Sequence, residues 1–121
     1  MENPSTPKYL DTGLLLLQLG DSNEMHSMLT LLAESLTRDV PLVSTLLENN
    51  DVVEANRILH PLKGFIPIFC GTELCSHVAK VEELSKIASA AEVRPAYALL
   101  RPELEQLAAE ALAYVSNHGK A

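Results

Sequence analysis

Apolar residues recur at three- and four-residue intervals along nearly the whole chain, and no useful stretch alternates with a period of two. That spacing gathers apolar side chains on one face of an α-helix, whereas a half-buried strand needs strict alternation. Met25, Met28, Leu29, Leu32 and Leu36 form one such stripe. Leu74, Val78, Val81, Leu84 and Ala88 form a second, and Leu100, Leu104, Leu107, Ala111, Leu112 and Val115 a third. With 121 residues, 47% of them hydrophobic but only 4% aromatic and none Trp, the chain has material for one aliphatic-cored domain. The reading is all-α.

Punctuation divides the chain into five helical segments. Residues 1–8, with Pro4 and Pro7, read as a linker or disordered start, residues 9–117 as the bundle and 118–121 as a tail. The first helix is expected from Tyr9 to Leu19, stopped by Gly20. Asp21 and Glu24, at capping-box spacing, open a second that reaches Glu48 with a bend at Pro41. Asp51 and Glu54 repeat the spacing and open a third, reaching Cys70 before Gly71. Thr72 is the expected cap of a fourth ending near Ala91. A fifth runs from Val93 to Asn117, with Pro95 in its first turn and a kink or break at Pro102. Short turns between long amphipathic helices favour antiparallel neighbours, hence an up-and-down bundle.

Net charge and cysteine content narrow the class of partner. The formal charge of −7 offers no positive field for a phosphate backbone or an anionic bilayer, so neither nucleic acid nor direct membrane contact is expected. The first nine residues hold no apolar core of a signal peptide, and the Leu14–Leu17 run is far too short to span a bilayer. A cytoplasmic protein is the expectation. Cys70 and Cys75 make no disulfide framework and read as inert, mostly buried thiols.

The third helix carries two chemistries. On a helical wheel Ala55, Ile58, Leu59, Leu62, Ile66 and Phe69 share the core arc. Val53, Asn56, Arg57, His60, Lys63, Gly64 and Pro67 lie opposite. His60 therefore points away from its helix's own apolar stripe. Lys63 and Gly64, one turn on, share its face. A mid-helix Gly costs about 1 kcal/mol against Ala, so its presence has a reason. A missing Cβ would clear space beside the imidazole, and the ammonium would favour an anion there. A solvated nucleophilic imidazole, a fixed cation and a clearing are what a phosphoryl-accepting histidine needs. Pro61 and Pro67 each remove a donor, and read either as a kink or as a fixed distortion beside the histidine.

At this point the chain resembles a known family. Ile58-Leu59-His60-Pro61-Leu62-Lys63-Gly64 is similar to the His-x-Leu-Lys-Gly signature of histidine-containing phosphotransfer (HPt) domains. Tyr9-Leu10-Asp11, Leu19-Gly20-Asp21, Gly71, Leu74 and Val81-Glu82 extend the likeness over residues 9–115. The resemblance implies a four-helix bundle with an additional short N-terminal helix across one end. It implies His60 as phosphoacceptor, Lys63 as electrostatic support and Gly64 as the clearing. By the same resemblance the domain takes a phosphoryl group from a receiver-domain aspartyl phosphate and passes it to the aspartate of a response regulator. It has no autonomous catalysis and no cofactor of its own, and the receiver brings the Mg²⁺. Phe65 stands where the family usually has a small residue, and Pro61 and Pro67 are unusual in that helix. Arg57, Pro61, Phe65, Pro67 and Ile68 are accordingly the expected partner-binding residues.

The other polar residues read more plainly. His77 is expected as a partly buried structural residue, His26 on the surface and His118 in the tail. No HxxxH or CxxC spacing supports a metal site. Glu73, Glu82 and Glu83 read as a solvated face, from which one, with Glu82 the nominee, would orient His60. Glu103, Glu105 and Glu110 read as purely solvating. The competing functional reading is a bundle that binds a receiver or kinase without accepting phosphate. His60-x-x-Lys63-Gly64 favours the relay, because an adaptor has no use for a helix-weakening Gly. The Pro- and Ser-containing start suggests the end of a hybrid sensor kinase, and a monomer is expected for the domain alone.

Overall fold

The computed structural model describes residues 7–118. Among them helices joined by short turns make up the structure, with one isolated antiparallel bridge between Leu10 and Cys70. Five α-helices follow in order: α1 (Thr12–Leu19), α2 (Ser22–Glu48), α3 (Val52–Phe65), α4 (Thr72–Ile87) and α5 (Ala90–His118). A 3-10 turn, Ile66–Ile68, follows α3.

Acidic side chains start the first three helices. Asp11 accepts from the Leu14 amide, Asp21 from those of Asn23 and Glu24, and Asp51 from that of Glu54. Gly20, at φ 68°, closes α1 in the left-handed conformation that glycine adopts without strain. Several boundaries depart from the sequence expectation. Tyr9 and Leu10 are not helical, because the Lys8, Tyr9 and Leu10 amides all donate to the Glu110 carboxylate and that of Asp11 to the Phe69 carbonyl. Helix α3 ends at Phe65 rather than Cys70. Pro67 has no N–H for the Lys63 carbonyl, and the chain tightens until Phe69 N bonds Ile66 O at 2.9 Å.

Helix α4 is capped by Gly71, with no side-chain hydrogen bond, so Thr72 is its first residue and not its cap. It stops at Ile87, because Ser89 and Glu92 form a reciprocal box that starts α5 three residues before the expected Val93. Helix α5 runs unbroken through Pro95 and Pro102 and includes His118, which the sequence reading assigned to the tail. Residues 1–6 of the expected linker and 119–121 of the expected tail lie outside the described residues.

Packing is most extensive between α2 and α5 and between α3 and α4. Contacts of α2 with α3 and of α4 with α5 close the ring, while α1 rests on α2 and the 3-10 turn. Leu29, Leu32, Leu36, Leu59, Val78, Val93, Leu100, Leu104 and Leu107 meet in one core, each fully buried. Each such aliphatic side chain contributes about 1.5–3 kcal/mol of burial. Ile66 and Phe69 are buried where the wheel put them, although they no longer belong to the α-helix. Tyr97 of α5 is buried and donates its hydroxyl to the Val40 carbonyl of α2 at 2.9 Å. Among the described residues no helix is long and apolar enough to cross a membrane.

Candidate functional site

His60 lies on the ridge of α3, its side chain 65% exposed. Its Nδ1 is 3.0 Å from Oε2 of Glu82 on α4. Glu82 has no exposed surface at all, which corrects its expected place on a solvated face. Position explains the burial: Glu82 follows core residue Val81 on the side of α4 that packs against α3. A buried carboxylate is stable only when its oxygens are satisfied. Here Oε2 accepts from His60 and from Asn56 Nδ2 (3.1 Å), while Oε1 accepts from Lys63 Nζ (3.2 Å). Ser85 completes the arrangement. Asn56 Nδ2 donates to its Oγ at 2.8 Å, and that hydroxyl donates to the Glu82 carbonyl at 2.6 Å.

These donors decide the charge state. Withdrawal from water pushes the Glu82 carboxyl up, but the hydrogen bonds from His60, Lys63 and Asn56 outweigh it and hold the group down at about 2. At neutral pH Glu82 is therefore an acceptor only, so Nδ1 of His60 must carry the proton it shares. In the neutral ring the lone pair then lies on Nε2. Nε2 has no hydrogen-bond partner among the described residues. The site presents a tautomerically fixed, outward-facing nitrogen nucleophile.

His60 divides its surroundings in two, where the wheel had placed one polar face. Asn56 and Lys63 turn to the α4 side and engage Glu82. Lys63, with a side chain 33% exposed, also sits 3.7 Å from Glu83, so its ammonium is held by carboxylates and is not a free cation. On the other side Arg57, Pro61, Gly64, Phe65 and Ile68 line an open groove of about 650 Å³ between α2 and α3, with Leu31 and Arg38 on its far wall. Pro67 is exposed on the 3-10 turn and is not among the lining residues. Arg57 is exposed and pairs with Glu54 at 3.4 Å. Phe65 packs edge-on against Phe69, ring centres 4.9 Å apart, which fixes its place in the groove wall. A Cβ built on Gly64 would meet nothing within 4 Å. Gly64 falls in the last turn of α3 rather than mid-helix, so its helix penalty is smaller than the sequence reading assigned.

Three residues of consequence escaped the sequence reading. Asn56 stands one turn before His60, a spacing that could have marked it, but its acceptors lie 26 and 29 positions away. Ser85 shares that difficulty. Glu110, expected to be solvating, is buried and holds the N-terminal segment. Glu103 is likewise engaged, 2.8 Å from Nδ1 of the partly buried His77. Cys70 is buried and Cys75 half-buried, and neither is in a disulfide. Burial pushes the Cys70 thiol well up, away from the reactive thiolate. No family model matches this chain, and no curated protein and no solved structure matches it.

Proposed function

We propose that this chain is a phosphorelay intermediate of the HPt type. In this reading α2–α5 form an antiparallel up-and-down four-helix bundle with α1 across one end, and His60 receives and passes on a phosphoryl group. The observation that carries the reading is an exposed His60 whose Nδ1 is held at 3.0 Å by the fully buried Glu82. In transfer, Nε2 attacks the phosphorus of an aspartyl phosphate on a receiver domain. The N–P bond forms, the P–O bond breaks, and the aspartate leaves with the electron pair. The Nδ1 proton stays in its hydrogen bond to Glu82, which stabilises the positive charge developing on the ring.

Lys63 turns from Glu82 and Glu83 toward the phosphoryl oxygens. Lys86, 3.8 Å from Glu82 and 3.4 Å from Glu83, keeps a cation beside the buried carboxylate. The receiver brings the Mg²⁺ and the acidic residues that hold it. Gly64 admits the partner's surface along the groove formed with Arg57, Pro61, Phe65 and Ile68. The setting is the cytoplasm, either as a separate protein or as the last module of a hybrid sensor kinase.

The test is transfer from a phosphorylated receiver with Mg²⁺ to the wild type and to His60→Gln. Acid-labile, alkali-stable label on the wild type alone is the expected result. A receiver that binds the wild type and never labels it overturns the relay and leaves an adaptor. Gly64→Ala gives an independent check. Its methyl fits the free protein, so stability holds or rises by up to roughly 0.5 kcal/mol. Transfer slows about tenfold or more as the methyl intrudes on the docked receiver.

A further inference from the structure

His77 on α4 repeats the constellation of His60. Its Nδ1 lies 2.8 Å from a carboxylate on the neighbouring helix, Glu103 of α5, as that of His60 lies 3.0 Å from Glu82. A lysine follows three residues later in each case, Lys80 here and Lys63 there. His77, Lys80 and Glu103 line an open cavity of about 920 Å³ with mixed polar and apolar walls, ample for a phosphoryl group, together with Lys8, Tyr9 and Glu73. Lys8 lies over the Tyr9 ring at 5.4 Å and adds a second ammonium to the same wall. Nδ1–H again donates to the carboxylate, and in the neutral ring the lone pair is then on Nε2, the nucleophile. Two differences set this site apart. The His77 side chain is 28% exposed against 65%, and Glu103 is 30% exposed where Glu82 is sealed.

We propose that His77 is a second phosphoryl-accepting histidine, served by small phosphoryl donors with a good leaving group. The cavity is open to solvent and far larger than a phosphoryl group, so a small donor reaches it directly. With phosphoramidate as donor, Nε2 attacks phosphorus, the new N–P bond forms, and the old P–N bond breaks. Ammonia leaves with the electron pair. Lys80 and Lys8 offset the charge of the incoming phosphoryl oxygens, and Glu103 holds the ring proton. The site does not depend on relay through His60, and its test separates the two.

His60→Gln protein is treated with phosphoramidate, and label on His26, His77 and His118 is followed with time by peptide mapping. Label on His77 is expected to form roughly three- to tenfold faster than on His26, the effect of an exposed ammonium beside an anionic transition state. Lys80→Met removes that excess, and Lys80→Arg restores it. His77→Gln in an otherwise wild-type chain leaves receiver-dependent labelling of His60 unchanged. His77 reacting no faster than His26, or equally fast in Lys80→Met, overturns the proposal. An unaltered helical circular dichroism spectrum shows that each variant is folded when its rate is read.

Discussion

Glu82 keeps its charge while wholly withdrawn from water, because four side chains converge on it and three of them donate within 3.2 Å. Its folded-state value of about 2 lies below the ordinary 4.5, so the unfolded chain binds this proton more tightly. The resulting stabilisation is complete above about pH 4.5 and is lost as the pH falls toward about 2. Glu82→Gln lacks that dependence. Urea unfolding will show the wild type more stable at about pH 7, with the gap narrowing toward about pH 3. Glu82→Ala takes the carboxylate acceptor from Asn56, His60 and Lys63 and costs about 1–3 kcal/mol. In the proposed relay Glu82→Gln also slows transfer, because an amide can present either its oxygen or its nitrogen to Nδ1 and no longer fixes the tautomer. The ¹⁵N shifts of the His60 ring report that change directly.

Among the helices, the start and stop signals decided more than the interior breakers did. Helix α5 continues through Pro102, whose ring is exposed, at the cost of the hydrogen bond to the Ala98 carbonyl. Packing of Leu100, Leu104 and Leu107 against the core holds the helix across the defect. Pro102→Ala is therefore expected to raise stability by about 1–3 kcal/mol, read as a higher Tm. Ser89→Ala removes one half of the box at the helix start and is expected to lower stability by about 1 kcal/mol in denaturant unfolding. Ser89-x-x-Glu92 was visible in the sequence with the same spacing that located α2 and α3. Gly71 and Pro67 illustrate the opposite case. The wheel carried α3 on to Cys70 because Ile66 and Phe69 keep the apolar spacing, whereas a 3-10 turn satisfies that spacing with different hydrogen bonds.

At the scale of the molecule, one carboxylate ties the N-terminal segment to the rest. Glu110 of α5 accepts from three consecutive amides at 2.8–2.9 Å, and the same segment bridges Leu10 to Cys70 just past the 3-10 turn. Burial pushes the Glu110 carboxyl up, but the Gln106 side-chain amide and these three backbone amides outweigh it and hold the group below the ordinary carboxylate range. Glu110→Ala is expected to speed hydrogen exchange at Lys8, Tyr9 and Leu10 far more than in the α3 interior, and to cost about 1–3 kcal/mol. The sequence by itself determined the helical class, the core stripes of α2–α5 apart from Leu112, which is exposed, and the position of His60 away from its helix's core, since all of these rest on spacings within a few turns. Only the tertiary structure decided that Glu82 is sealed, that Lys63 is engaged by carboxylates, that Gly64 opens onto the α2–α3 groove and that Glu110 clamps the first residues. Those outcomes depend on partners 19 to 102 positions apart, which one residue's local pattern does not encode. The desolvation cost of a carboxylate is met only when such distant donors arrive together.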